Sequence, residues 1–275
     1  MNGSVDLRSL LDAWPHDPDE NVRIIRGHDG REIMQVRLPL GMEQYELDGR
    51  PDGRRPHGMA SALDYQLRRL ALAQAKGRED RFELTSDDCT ELFEEGTLYY
   101  YRYLSLFRIK DWKRTLRDTT RNLRLFDFVQ RYAAREEDRF YLEKWRPYLV
   151  RMNAVAAAMI DLEQGHHDRA LGLIRSTIQR IEALEAIEDE TFKFEQQRSV
   201  LALRELAAQL EQTRPLSRRE RLERELRAAV EKQEFERAAQ LRDRIRALRD
   251  TDTAPGSSAL RRCPRRGPTP PARRS

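Results

Sequence analysis

Glycine and proline are distributed very unevenly along this 275-residue chain, and that distribution limits its fold more than any other feature. Residues 1–58 hold seven glycines and five prolines, whereas residues 59–250 hold only four glycines and two prolines. Residues 251–275 hold two glycines and five prolines. Because both residue types interrupt helices and mark turns, the middle is predicted to be overwhelmingly helical, between a mixed N-terminal region and a disordered tail.

Charge is distributed just as unevenly. The chain has 51 Lys and Arg against 47 Asp and Glu, a formal net charge of +4. Residues 1–213 carry a net charge of −5, residues 214–250 carry +4, and residues 251–275 carry +5. The cationic excess therefore lies in the C-terminal fifth of the chain, which argues against a uniformly basic groove for nucleic acid in the folded part.

Composition favours a soluble protein, since 36% of the residues are charged and 39% are hydrophobic. The longest apolar run, residues 154–160, is far shorter than the roughly 18 apolar residues that span a bilayer. No signal peptide is predicted, so a cytoplasmic location is expected.

Cys89 and Cys263 are too few for a four-thiolate zinc site, and the His166–Asp168 segment is interpreted as a solvated turn. No disulfide, metal or cofactor is expected.

The N-terminal region, residues 1–80, is predicted to contain a small β-hairpin and one helix. Met34, Val36 and Leu38 alternate with polar residues as in a half-buried strand, and residues 42–47 alternate similarly. The hairpin is expected to turn at Pro39-Leu40-Gly41, and a helix is expected from about Met59 to Lys76.

Residues 81–213 are predicted to form an array of helical hairpins, so that the fold class is mainly α. The turn segments 110–115 and 165–170 occupy equivalent places in successive helix pairs. The second turn is similar to that of a tetratricopeptide repeat, with Gly165 ending one helix and Ala170 packing closely in the next. The offset of 55 residues differs from that family's repeat of about 34 residues, so only a tetratricopeptide-like array is expected.

Residues 214–250 are predicted to form a separate antiparallel pair of short helices. Ser217 and Glu220 have the spacing of a capping box at the start of the first helix. The apolar pattern breaks at residues 232–234 and resumes at Phe235. A module of about 35 residues buries too little apolar surface to be stable alone, so it is expected to pair with a second copy or with another protein's helices.

The segment from Glu234 to Ile245, preceded by two leucines, resembles the UVR motif. That motif is the helical hairpin through which the excision-repair proteins UvrB and UvrC bind each other, and it also occurs in regulators of Clp-type AAA+ proteases. Gln233 departs from the family, which usually has an apolar residue there. The resemblance implies a partner-binding surface made of Leu222, Leu226, Phe235, Ala238, Ala239, Leu241, Arg242, Asp243 and Ile245.

The implied function is non-enzymatic protein–protein interaction. The chain has no Gly-rich loop ending in Lys-Ser or Lys-Thr and therefore no UvrB-like helicase, and it is too short for both UvrC nuclease centres. The N-terminal part also resembles a group of bacterial UVR-motif proteins. Implied partners carry a complementary helical hairpin, UvrB/UvrC-like or Clp-type, or are second copies of the chain. The alternative is nucleic-acid binding through the Arg-rich C-terminal region, and no membrane partner is expected.

The loop over residues 48–58 offers several alternatives. His57 with Asp48 and Asp52 has the groups of an acid–base site, but glycine, proline and aspartate are equally what a tight turn needs. The arginines can also dock against acidic helices. As a minority reading, a phosphate site would use Arg50, Arg54, Arg55 and His57.

An aromatic run from Tyr99 to Tyr103, followed by Phe107, has the composition of a base-stacking surface. At helical spacing Tyr99, Tyr103 and Phe107 share one face, so burial in the core is the favoured interpretation. Tyr101 lies nearly opposite that face and is expected to be exposed.

Overall fold

The computed structural model describes residues 6–215 and 218–253, the side chains at 218–220 and 247–253 excepted. Within these residues the chain is mainly helical, as predicted, with a small N-terminal sheet. Two compact units divide the chain, one ending at Arg214 and the other beginning at Pro215. They are called here the N-terminal unit and the C-terminal unit.

The described helices of the N-terminal unit are α1 (Arg8–Ala13), α2 (Ala62–Ala75), α3 (Ser86–Arg108), α4 (Trp112–Tyr132), α5 (Glu136–Tyr141), α6 (Arg146–Glu163), α7 (His167–Glu182) and α8 (Glu190–Thr213). The C-terminal unit contains α9 (Arg218–Glu231) and α10 (Phe235–Thr253). In the described part of the chain, no helix is long and apolar enough to cross a membrane.

The N-terminal sheet has three antiparallel strands, β1 (Val22–Arg26), β2 (Glu32–Leu38) and β3 (Gly41–Glu46), in the order β1-β2-β3. The predicted β-hairpin, β2 and β3, is therefore only part of the sheet, and the sequence pattern does not predict β1. Adjacent Ile24 and Ile25 break the alternation that identifies a strand in sequence. Met34 lies opposite Tyr45 across the β2–β3 pair. Both residues pack in one apolar cluster with Leu106 of α3.

Consecutive long helices of the N-terminal unit pack against each other. Helix α4 packs against α3 and α6, and α6 packs against α7 and α8. Their apolar stripes form two clusters, one around Leu92 and Leu125, the other around Ile174 and Leu203. The tetratricopeptide-like geometry stays a prediction. Cys89 is buried and free in the first cluster, where burial raises the pKa of its thiol to about 12.

The start of α3 is a capping box. Asp88 and Glu91 have the spacing of a capping box, but the cap is formed one turn earlier. The Thr85 hydroxyl accepts from the Asp88 N–H, and the Asp88 carboxylate accepts from the Thr85 N–H. Overlapping frames of cap-forming residues make the register of such a helix start ambiguous in sequence.

Two expectations concern residues at the edges of the described ranges. Helix α10 continues to Thr253, so the start of the predicted tail over residues 251–275 is helical. The rest of that predicted disordered tail, with Cys263, lies outside the described residues. The predicted capping box of Ser217 and Glu220 also lies outside them.

Gly96 in the middle of α3 should be replaceable by alanine with a gain in stability. A Cβ there would meet only the Leu125 methyl groups, at 3.9 Å, which is an ordinary contact. Since glycine in a helix interior costs about 0.5–1 kcal/mol relative to alanine, Gly96→Ala should raise the free energy of unfolding by that amount. Urea denaturation followed by tryptophan fluorescence measures it. Gly77→Ala is the control, because its φ of +63° makes alanine strained and should lower stability.

Candidate partner-binding site

The connection between α9 and α10 is a tight helix stop. Gln233 takes the left-handed conformation with φ of 58°. Its N–H donates to the Val230 carbonyl at 3.0 Å, and the Glu234 N–H donates to the Ala229 carbonyl at 2.8 Å. This pair of bonds is the Schellman pattern that ends helices. The residue that departs from the UVR pattern is thus the one that reverses the chain, and Phe235 begins the next helix directly after it.

Inside the C-terminal unit, α9 and α10 pack through a small apolar core. Leu222 and Ala229 of α9 are buried against Ala238 and Leu241 of α10. The small alanines allow close approach of the two helices. Around these four residues pack two half-buried ones, Leu226 and Ile245. Six apolar side chains in two short helices make a core that supplies only a few kcal/mol.

The structure divides the nine predicted contact residues into two groups. Leu222, Leu226, Ala238, Leu241 and Ile245 take part in the internal core of the unit. The other four are exposed to solvent: Phe235, Ala239, Arg242 and Asp243.

Phe235 is the most conspicuous of the exposed residues, because 71% of its surface is accessible. Its spacing from Ala238 and Leu241 places it on the buried stripe, yet it lies at the first position of α10 beside the turn. Val230, just before the turn, is 53% exposed. Val230, an apolar residue of α9, is not among the partner-binding residues that the UVR resemblance implies. The turn is therefore flanked by two large apolar side chains that the described residues leave uncovered.

Charged side chains lie close to this apolar end and further along α10. Arg237 forms an ion pair with Glu234 at 3.2 Å, with both side chains accessible to solvent. Arg242 and Asp243 are also exposed, further along α10. Exposed pairs of this kind contribute little to stability, but they can orient an approaching partner.

The 48–58 loop docks onto the helices of the N-terminal unit. The Arg50 guanidinium lies 2.9 Å from Asp52 and 3.2 Å from Glu95, with only 11% of its side chain exposed. His57 stacks on Tyr65 at 4.0 Å. Arg50 is thus engaged by carboxylates, which matches the docking alternative.

The remaining cationic side chains of this loop, Arg54, Arg55 and His57, are more exposed than Arg50. The exposed Arg54 has its Nε 3.9 Å from Asp52, and the His57 Nε2 lies 3.1 Å from Glu91. Arg55 is exposed as well. Phosphate binding by this loop stays a prediction, now without Arg50 as a free cation.

The anchor of the loop is Glu95 of α3, whose side chain is fully buried. Its carboxylate accepts from the backbone N–H groups of Ala62 and Leu63 at 2.7 and 3.1 Å, at the start of α2. Arg121 of α4 completes the set. One carboxylate therefore holds the loop and three helices together.

His166 lies in the turn between α6 and α7, and His167 and Asp168 are the first residues of α7. The His166 side chain is exposed, with its Nδ1 3.9 Å from Asp161. The Asp168 carboxylate accepts from Arg214 at 2.8 Å. Among the residues that the structure describes, no group of three or more His, Cys, Asp or Glu side chains is placed to hold a metal ion.

Comparison with protein-family models assigns a class to the C-terminal unit. The model of the UvrB/uvrC motif, UVR, matches residues 217–251. The chain therefore carries the motif that its sequence resembles. The match covers α9 and α10 and does not extend into the N-terminal unit. Comparisons with curated proteins and with solved structures give no match.

Proposed function

We propose that this protein is a non-enzymatic adaptor that docks a helical partner through the turn end of its C-terminal unit. The observation that carries the proposal is Phe235, which begins α10 with 71% of its surface exposed. An aromatic side chain of this kind is a typical anchor of a binding interface. The UVR-motif match over residues 217–251 supports a partner of the same helical-hairpin type.

The proposed mechanism is burial of the apolar turn end. Covering Phe235 and Val230 removes their accessible surface from water, and a fully buried aromatic side chain contributes about 1.5–3 kcal/mol. Arg242 and Asp243 then select the orientation of the partner through charge complementarity. The internal residues Leu222 and Leu241 act indirectly, by holding the two helices in place.

The process that we propose for this adaptor is nucleotide-excision repair or regulation of a Clp-type protease, in the cytoplasm, and the UVR-motif match over residues 217–251 supports it. The N-terminal unit would hold a second protein. Binding of nucleic acid through the C-terminal region is the competing function, and its Arg-rich part beyond residue 253 lies outside the described residues. Phosphate contacts release counterions, so that function requires a steep loss of affinity with salt.

The test is a crosslinking pull-down from the native host with full-length protein, after nuclease treatment. Phe235→Asp should abolish capture, because loss of the apolar anchor alone weakens binding by about tenfold or more and a buried charge adds to it. Phe194→Asp is the matched control, since Phe194 is 60% exposed on α8 of the N-terminal unit. It should capture the same proteins as the wild type.

Two outcomes would contradict the proposal. Identical partners for wild type and Phe235→Asp would show that the turn end is not the interaction site. Capture that disappears on nuclease treatment would show that nucleic acid bridges the complex. Sedimentation of the purified wild type and of Phe235→Asp reports self-association through the same surface.

A further inference from the structure

A cavity of about 400 Å³ lies in the N-terminal unit between α3, α4, α6 and α8. Its size is in the range of small-molecule sites, about 300–1,000 Å³. Aromatic side chains dominate its walls, namely Tyr100, Tyr101, Tyr103, Trp145 and Tyr148. The Tyr100 ring packs edge-on against Tyr103 at 5.6 Å and against Tyr148 at 6.1 Å.

The cavity is lined by three tyrosines of the aromatic run in α3, including the two that the core does not bury. Tyr99 and Tyr103 are buried, as the helical spacing predicts, and Tyr101 is 49% exposed. Tyr100 is half-buried, and with Tyr101 it forms one side of the cavity. Gly96, one turn before Tyr100, leaves space beside them because it has no side chain.

A buried carboxylate also lines the cavity. Glu195 of α8 is 5% exposed, and its Oε1 lies 3.3 Å from Arg198 Nη1. Its Oε2 is shielded from solvent and has no hydrogen-bond partner among the described residues. Nearly all buried polar atoms in proteins have such a partner. An N–H donor from a bound molecule would complete the bonding of this oxygen.

Two arginines lie around this carboxylate, Arg198 in the cavity wall and Arg151 outside the lining. Arg198 lines the cavity, and the Arg151 guanidinium lies 5.2 Å from the Tyr148 ring. Burial, with the charge of Arg198, lowers the pKa of Arg151. Glu195 interacts with both arginines. The excess of positive charge favours a ligand that carries an anionic group, and it disfavours the organic cations that aromatic walls alone would suit.

We propose that this cavity binds a free nucleotide whose base carries an exocyclic amino group. The base would stack on the tyrosine walls, as flat heterocycles do on aromatic side chains. Its amino group would donate to Glu195 Oε2, the pairing by which carboxylates recognise such bases. Arg198 would hold the phosphate. The inference rests on the N-terminal unit alone and is independent of the adaptor function.

Isothermal titration of the full-length protein tests the ligand class. The probes are GMP, AMP, CMP, UMP, inorganic phosphate, choline and a short single-stranded oligo(dC). At least one of the three amino-bearing mononucleotides should bind about tenfold or more tightly than UMP, because the only donor on the uracil pairing edge, N3–H, lies between two carbonyl oxygens that repel the carboxylate. Phosphate and choline should bind more weakly still.

Variants test the site. Glu195→Gln should weaken binding of the preferred mononucleotide by about tenfold or more, because the charged acceptor is lost. Glu205→Gln, an exposed carboxylate further along α8, is the matched control and should change nothing. Tyr101→Ala removes a largely exposed wall and should weaken binding about fivefold or more. It keeps the test informative if Glu195→Gln unfolds the protein.

Several results would overturn the inference. These are absence of binding by all mononucleotides, binding of UMP or phosphate as tight as the amino-bearing probes, and binding of choline more tightly than nucleotides. Equal affinity of wild type, Glu195→Gln and Tyr101→Ala would also overturn it. Binding of oligo(dC) without binding of any mononucleotide would show that the tyrosines belong to a nucleic-acid surface instead.

Discussion

Replacing Arg102 by leucine should lower the free energy of unfolding of the N-terminal unit by about 3–5 kcal/mol. Both Arg102 and Asp118 have only 1% of their side chains exposed. The Arg102 Nε and Nη2 donate to the two Asp118 oxygens at 2.7 and 2.9 Å. Its Nη1 donates to the carbonyls of Glu46 and Gly49 at 2.7 and 2.9 Å. The variant leaves a buried carboxylate without its main partner and two carbonyls without this donor.

Urea denaturation followed by tryptophan fluorescence measures this loss. All three tryptophans lie before residue 215, so the signal reports the N-terminal unit. Arg124→Leu is the matched control, because Arg124 is exposed on α4 and its replacement should change stability by no more than about 0.5 kcal/mol.

The double variant Arg102→Leu/Asp118→Leu separates the two causes of that loss. It should be more stable than Arg102→Leu alone, since it removes a buried carboxylate that Arg117, at 2.9 Å, pairs at one oxygen only, while the carbonyls of Glu46 and Gly49 still lack the Arg102 donor. A loss below about 1 kcal/mol for Arg102→Leu, or a double variant less stable than Arg102→Leu, would contradict this account.

These buried ion pairs mark the limit of what the sequence predicts about the fold. Helices α2, α3, α4, α6, α7 and α8 follow from scarce glycine and proline and from apolar spacing, which are local signals. Arg102 and Asp118 are 16 residues apart, on α3 and α4. Neither residue differs in sequence from the many exposed arginines and aspartates. Their pairing depends on which helix faces touch, and that is decided by the packed core.

In the candidate site, too, local spacing predicts some features and the packed structure decides others. The spacing of Ala238, Leu241 and Ile245 identifies one apolar stripe on α10, and all three pack in the internal core with α9. The same spacing includes Phe235, which is exposed. The left-handed Gln233 decides this difference, because it fixes where α9 stops and how α10 starts. A single non-glycine residue in that conformation has no clear signal in sequence.

Replacing Leu241 by aspartate should unfold the C-terminal unit and leave the N-terminal unit folded. Leu241 is 3% exposed and packs with Leu222, Ala229 and Ala238. A core this small supplies no more than about 3–5 kcal/mol, and burying an unpaired carboxylate costs at least as much. Far-UV circular dichroism should show loss of the helicity of α9 and α10. Tryptophan fluorescence should not change, because all three tryptophans lie in the N-terminal unit.

Ala239→Asp is the control for this substitution. Ala239 is exposed, lies two positions before Leu241 on the same helix, and receives the same side chain. The Ala239→Asp variant should retain the helicity of α9 and α10, apart from the small loss that aspartate causes in a helix interior. Loss of helicity in both variants would mean that α10 tolerates no aspartate in this region and that the core argument for Leu241 is wrong.

Comparison of Leu241→Asp with Phe235→Asp then assigns the two groups of residues to their roles. Both variants should fail to capture a partner, but only Leu241→Asp should lose helicity. Retained helicity with lost capture in Leu241→Asp would mean that Leu241 contacts the partner directly, and that α9 and α10 open on binding. In that case the surface implied by the UVR resemblance would include the internal residues, and the exposed turn end would be only its edge.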